Sequence, residues 1–260
     1  MGAPRPIDRD AELAASLVHD AGQLARGMRL EGLAAEQKTS ISDLVTEADH
    51  AAEELVRRRL REECPDDGIV GEEGDDVPGR SGRTWVIDPV DGTWNFVHGI
   101  SHWCSALALR DDATGVLLGA VHDPEEQVTW VGGPDLPTTR DGVPLPIPAD
   151  APAGEVGVGT YLHTTYYSTV DVVEPWQRAA TRASTIRMLG SGSMDLVAVA
   201  EGRLGCWFQH TVPPWDWLPG QGLVLGAGGT TEQVEVRGYT WSVAGRPTAV
   251  AELADALREA

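Results

Sequence analysis

Apolar residues recur at helical spacing twice near the start of the chain. Leu13, Leu17, Ala21, Leu24 and Met28 share one face of residues 10–28, the pattern of a helix packed on a core. A second stripe, Ala52, Leu55, Val56 and Leu60, predicts a helix from Thr46 to about Glu63. Thr46 and Asp49 stand at its start with the spacing of a capping box, aspartate replacing the usual glutamate. The period then changes. After the loop "GRSGR" around Gly82, the continuous apolar run Trp85, Val86, Ile87 predicts a buried strand. Residues 104–110 and 116–121 predict paired strands, and "QVTWVG" another. The Pro-rich passage "DGVPLPIPADAPAG" divides the chain into an N-terminal half, residues 1–145, and a C-terminal half, residues 146–260. The second half predicts strands at 156–160 and 204–208 and helices at 176–182, 193–201 and 217–225, with a last helix in "AVAELADALREA". Such a mixture predicts an α/β protein with helices layered on sheets.

Composition adds limits. The chain is 260 residues long, enough to bury a large core as one domain or as two closely packed halves. No apolar run approaches the length of a membrane span, and the opening residues lack a signal-peptide pattern. The Met-Gly start resembles a myristoylation site, but Pro6 stands where serine or threonine is wanted. Cys64, Cys104 and Cys206 are odd in number and far apart, which argues against a zinc motif or a disulfide framework and suits a reducing cytoplasm. Forty acids against twenty bases give a net charge of −20, which argues against binding nucleic acid through its phosphates. A solvated acidic surface explains most of that charge. A pocket of carboxylates that holds cations explains another part.

The acids that could form such a pocket are Asp49 in "DLVTEAD", Glu72 and Glu73 in "GEEG", Asp88 and Asp91 in "DPVDGT", and Asp216 in "WDW". Each has a plain structural alternative. Asp49 completes a helix cap, Glu72 and Glu73 suit a solvated turn, and Asp216 suits the N-cap of the helix that follows it. Asp-Pro and Asp-Gly form turns, but a simple turn does not need two acids beside a buried strand. Read as one set, the acids offer oxygen ligands to Mg²⁺, which takes about six in near-octahedral geometry and keeps several as water. Gly92 lets backbone come close, and the amides of Gly92 and Thr93 open a helix whose N-terminus favours an anion. Cations beside a phosphate seat are the layout of metal-assisted phosphoester hydrolysis.

"GEE", "WVIDPVDGTWNFVHG" and "WDWLPGQGLVLGAGG" resemble the three signatures of the inositol monophosphatase family, a branch of the magnesium-dependent, lithium-sensitive phosphatases. "KTSISDLVTEAD" upstream and "TIRMLGSGSMDLVAVAEGRLGCWF" downstream resemble further family segments, so the likeness runs in family order over about residues 10 to 255. The resemblance implies an α/β layered sandwich (αβαβα), usually a homodimer, acting on a small phosphorylated metabolite with two to three Mg²⁺ ions per site. Position by position, it implies that Glu72, Asp88 and the Val90 carbonyl bind one metal. Asp88, Asp91 and Asp216 would bind a second, with Glu72 helping a third. Asp49 and Thr93 match the pair that orients or deprotonates the attacking water, and Glu72 joins them in the catalytic set. Asp91, Gly92, Thr93 and Asp216 would hold the phosphate end of the substrate, while Gly190, Ser191, Gly192 and position 209 face its organic part. Lys38 falls at a family lysine near the metals.

The sequence departs from the family pattern away from these ligands. A glutamate that contacts substrate hydroxyls, seven residues before the "WD" aspartate, is replaced by Gln209. The third signature reads "WDWLPG", with Pro219 expected in the first turn of its helix, where proline is tolerated. Residues 132–154 are Pro-rich and short. These departures bear on substrate choice: inositol 1-phosphate or a similar polyol or sugar monophosphate comes first. Fructose 1,6-bisphosphate, 3′-phosphoadenosine phosphates and histidinol phosphate are alternatives, since Gln209 removes a negative charge that would repel an acidic substrate. A catalytically silent metal-binding scaffold would lack a ligand or the water-orienting pair, and all are present. No D-x-D-x-D-G loop indicates a calcium module, and no G-x-S-x-G elbow indicates a serine hydrolase.

Overall fold

The computed structural model describes residues 6–32, 35–37 and 44–259. Lys38 lies outside them. The first half consists of α1 (Pro6–Glu31), β1 (Ala35–Gln37), β2 (Leu44–Thr46), α2 (Glu47–Glu63), β3 (Gly68–Gly71), β4 (Arg83–Asp91) and α3 (Thr93–Val97), then β5 (Cys104–Asp111), β6 (Gly115–Asp123), β7 (Val128–Gly133), β8 (Leu136–Arg140) and β9 (Val143–Pro144). The second half has β10 (Gly157–Thr160), α4 (Val170–Ala180), β11 (Thr185–Arg187), α5 (Gly192–Ala200), β12 (Cys206–His210), α6 (Pro214–Gly226), β13 (Thr230–Val236), β14 (Tyr239–Gly245) and α7 (Pro247–Arg258).

Strands β3 to β9 form one sheet in sequence order, antiparallel except for the parallel pair β3–β4. A second, five-stranded sheet runs β11-β10-β12-β14-β13, with β10 parallel to both of its neighbours, and β1 and β2 form a separate antiparallel pair. Side chains alternate between layers. Trp85 and Ile87 of β4 and Leu107 and Leu109 of β5 join Leu17, Val56 and Leu60 from α1 and α2 in one core. Cys104 and Ala106 of β5 point the other way and pack with Met194, Val197 and Leu223 from α5 and α6. On β12, Trp207 faces this middle helical layer, while Cys206 and Phe208 pack with Val250 and Leu253 of α7. The order is therefore helices, sheet, helices, sheet, helices, the expected αβαβα arrangement. The middle layer lies close to the large sheet because a Cβ at Gly119 on β6 would meet the Pro219 carbonyl oxygen at 1.9 Å. The three cysteines are unpaired. Among the described residues, no helix is long and apolar enough to cross a membrane.

Several expectations need correction. The helix expected at 176–182 begins at Val170, with Pro175 inside it. Pro219 is not in a first turn: α6 begins at Pro214, a proline suited to the N1 position, so Pro219 falls in its interior. For the same reason Asp216 is not an N-cap; the cap is Pro213, and Asp216 sits within the first turn. The hairpin β13–β14 was not expected from the pattern. Arg237 and Gly238 join its strands with φ of 51° and 83°, the left-handed pair of a tight hairpin turn.

Candidate active site

Strand β4 runs through Asp88 to Asp91, and its ladder with β5 shifts register between those two residues. The irregularity has a local cause. Pro89 has no N–H to give, and its carbonyl instead accepts a hydrogen bond from Ser105 Oγ at 2.6 Å. Chain freed from the ladder can aim both acids and the Val90 carbonyl at one end of the sheet. Gly92 then turns at φ 92°, where a Cβ would lie 3.2 Å from the carbonyl oxygens of Gly190 and His102, and α3 begins at Thr93. Only glycine combines that φ with that close an approach.

The strand tip is tied to the second half of the chain. Asp91 Oδ2 accepts the Ser193 N–H at 2.6 Å near the start of α5, whose N-cap is Ser191. Asn95 Nδ2 donates to the carbonyls of His102 and Leu189 at 2.7 and 2.8 Å. Residues Gly190 to Gly192 are thereby held beside the Gly92 turn. Asp216 arrives from the first turn of α6 and stands close enough to Asp88 to help raise its carboxyl pKa.

Glu72 is presented by a turn after β3, held from beneath by a pair that sequence reasoning did not single out. Glu53 and Arg57 on α2 are buried and bonded at 2.6 Å. Glu53 also accepts the N–H groups of Glu73 and Gly74 at 2.9 and 2.8 Å, and Arg57 donates to the carbonyls of Gly74 and Asp75. A Cβ at Gly71 would come within 2.4 Å of Glu53 Oε1. The four-residue helical spacing of Glu53 and Arg57 was the available signal.

Asp49 serves two groups. Its Oδ2 accepts from the Thr46 N–H at 2.9 Å and from the Thr46 hydroxyl, completing the capping box of α2. Its Oδ1 accepts from Thr93 Oγ1 at 3.3 Å, while the same hydroxyl is 3.0 Å from the Val90 carbonyl. Asp49 is fully buried behind Thr93 and does not itself line the pocket.

A cavity of about 240 Å³ opens over these groups. Glu72, Asp88, Val90, Asp91 and Asp216 line one part of it, with Gly92 and Thr93 between. Gly190, Ser191, Gly192 and Gln209 line another, joined by Trp94 and Tyr161. Of the described residues expected at the site, the structure gathers all around one cavity except Asp49, which reaches it through Thr93, and Glu73, which does not line it.

The electrostatics explain what the acidic part can hold. Burial pushes the Asp88 carboxyl well above its ordinary value, reinforced by Glu72, Asp91 and Asp216. Burial raises Asp91 as well, although the Ser193 N–H opposes the shift. Asp88 Oδ1 is buried without a hydrogen-bond partner. An orphaned carboxylate oxygen beside three other acids is costly alone and satisfied by a cation. Among the described residues no three acidic, histidine or cysteine side chains close into a preformed cage. The open arrangement leaves room for water and phosphate oxygens, as a hard cation requires. The donor set, all oxygen, fits such an ion.

Residues 7–259 match the Inositol monophosphatase family. An inositol-1-monophosphatase of Rhizobium meliloti is 31% identical over 84% of this chain and 82% of its own length. A fructose-1,6-bisphosphatase/inositol-1-monophosphatase of Thermotoga maritima is 33% identical over 75% of this chain and 73% of its own length. The solved structure of Mycobacterium tuberculosis SuhB superposes with a TM-score of 0.81 at 27% identity and covers 98% of both chains. The fold, the family match and these relatives together establish that the chain belongs to the inositol monophosphatase family and is a phosphatase of the inositol monophosphatase type.

Proposed function

We propose that the chain hydrolyses inositol 1-phosphate or a similar small polyol or sugar monophosphate, with two to three Mg²⁺ ions bound by the acidic part of the pocket. The observation that carries this reading is the buried, unpartnered Asp88 Oδ1 beside Glu72, Asp91 and Asp216. Glu72, Asp88 and the Val90 carbonyl would hold one ion, Asp88, Asp91 and Asp216 a second, and Glu72 would contribute to a third. Bound there, the ions would supply Lewis acidity and lower the pKa of a water molecule.

The remaining work falls to the chain. The backbone amides of Gly92 and Thr93 at the start of α3 are available to phosphate oxygens, which a helix start favours. Thr93 Oγ1, shared between Asp49 and the Val90 carbonyl, is fixed to orient an attacking water. Asp49 is the buried acceptor for the proton that the hydroxyl passes on. Gly190, Ser191 and Gly192 pack without bulk beside the phosphate seat and admit the organic part of the ester, and Gln209 offers it one acceptor and one donor.

The names of the relatives favour inositol 1-phosphate and keep fructose 1,6-bisphosphate as the second reading. We further propose a homodimer, inhibition by Li⁺ at a metal position, and action in a reducing compartment such as the cytoplasm, where three free thiols persist. A phosphate-release screen over polyol, sugar and nucleotide monophosphates in Mg²⁺ tests the function. Turnover should be highest on inositol 1-phosphate or a related monoester; no release from any of them would contradict the reading.

A further inference from the structure

Two aromatic rings stand exposed at the pocket, and the phosphate chemistry uses neither. Trp94 follows Thr93 directly in α3, lines the cavity and is 41% exposed. One of its faces is stacked on His98, at 4.1 Å between ring centroids and 22° between planes. The His98 ring also bonds the Trp94 carbonyl at 2.8 Å. The indole is therefore braced on that face. Tyr161 is 38% exposed and lines the same cavity. It lies one residue past the last paired position of two parallel strands, Thr160 beside Phe208, so Tyr161 comes alongside Gln209 at the ends of β10 and β12. The organic part of the pocket thus has an amide flanked by a phenol, with a braced indole next to the phosphate turn. Among the described residues that line the cavity there is no lysine or arginine.

We propose that Trp94 and Tyr161 form an aromatic clamp that selects esters whose alcohol carries a ring and no second phosphate. The proposal rests on the reading of this pocket as a phosphomonoesterase site. A cyclitol, sugar or nucleoside ring presents a C–H or π face that an aromatic side chain covers with little loss of conformational freedom. An acyclic alcohol with the same hydroxyl groups has no such face and must be ordered on binding. A second phosphate needs a cationic, preferably bidentate, partner, and the clamp supplies only an amide and two uncharged rings.

The test compares kcat/KM in Mg²⁺ for inositol 1-phosphate, glycerol 2-phosphate and fructose 1,6-bisphosphate, in the wild type and in Trp94→Ala, Tyr161→Ala and Tyr161→Phe. The wild type should prefer the cyclic monophosphate over both other esters. Each alanine variant should lower the cyclic-to-acyclic ratio about fivefold, mainly through KM on the cyclic ester, and Tyr161→Phe should keep it. Equal turnover of all three esters by the wild type, or unchanged ratios in both alanine variants, overturns the clamp and leaves the phosphatase reading standing. Bisphosphate turnover equal to that of the cyclic monophosphate overturns the exclusion of a second phosphate. Failure to hydrolyse any ester overturns the phosphatase reading and the clamp with it.

Discussion

The acidic and organic parts of the pocket are held in opposite ways. Asp88 and Asp91 lie in an interior strand of the large sheet and are buried; Asp91 is held by the Ser193 N–H, and Asp88 is crowded by neighbouring acids. Tyr161 and Gln209 project from the ends of short parallel strands with partial exposure. Fixed charge and network bonding make the first part intolerant of change. The second part has side chains that can be exchanged without disturbing the sheet beneath. The difference suggests that reaction type and substrate choice are encoded separately here.

The largest effect should come from Asp91→Asn. The amide oxygen can still accept the Ser193 N–H, so the fold should persist, but a charged ligand is lost. Turnover should fall by roughly 10³-fold, comparable to deleting a principal electrostatic group in other enzymes, with the melting temperature little changed. A loss of only a few-fold, measured as kcat, would mean that the acidic part is less rigidly committed than its geometry suggests.

Next comes the support beneath Glu72. Glu53→Ala would leave Arg57 buried without its partner and two backbone N–H groups unsatisfied. Removing one member of a buried pair costs about 3–5 kcal/mol, visible as a lower urea midpoint. Activity should fall with it, because the turn that carries Glu72 loses its anchor. Unaltered stability would show that the turn holds itself.

A smaller effect concerns pH. Burial raises the carboxyls of Asp49, Asp88 and Asp91 above 3.8, the value to which they return on unfolding. The unfolded chain therefore gives up these protons at lower pH than the folded one. Their contribution to stability is complete below about pH 4 and is lost as the pH rises through the higher folded values. A divalent cation favours the ionised groups and offsets that loss. Mg²⁺ should accordingly raise the melting temperature more at pH 8 than at pH 5. Equal shifts at the two values, measured by differential scanning, would dissociate the cation from these carboxylates.

The smallest effect is Gln209→Glu. A charged acceptor makes stronger hydrogen bonds to hydroxyls than a neutral one. The variant should gain a few-fold in kcat/KM on inositol 1-phosphate relative to fructose 1,6-bisphosphate. An unchanged ratio would mean that position 209, although it lines the cavity, does not read the substrate.

The same separation explains what the sequence disclosed. Asp88 and Asp91 were legible because two acids at the end of an apolar strand have no ordinary structural purpose, and Gly92 because a turn there needs positive φ. The cap at Thr46 and Asp49 was legible from spacing alone. Glu53 and Arg57 were not, since on a helix surface the same spacing usually marks an exposed pair; only the fold buries it under the Glu72 turn. Tyr161 was invisible because its meaning comes from the register of β10 with β12, a contact between residues far apart in the chain. The β13–β14 hairpin escaped because polar residues interrupt its alternation and its turn is Arg-Gly rather than Asn-Gly.

The central claim is that the acidic part of the pocket works by holding divalent cations. Its most direct test is phosphate release from inositol 1-phosphate by the full chain, in Mg²⁺ and in excess chelator, alongside Asp88→Asn. The account predicts that chelator abolishes turnover, that added Mg²⁺ restores it, and that Asp88→Asn loses both turnover and the Mg²⁺-dependent rise in melting temperature. Full activity in excess chelator would contradict it.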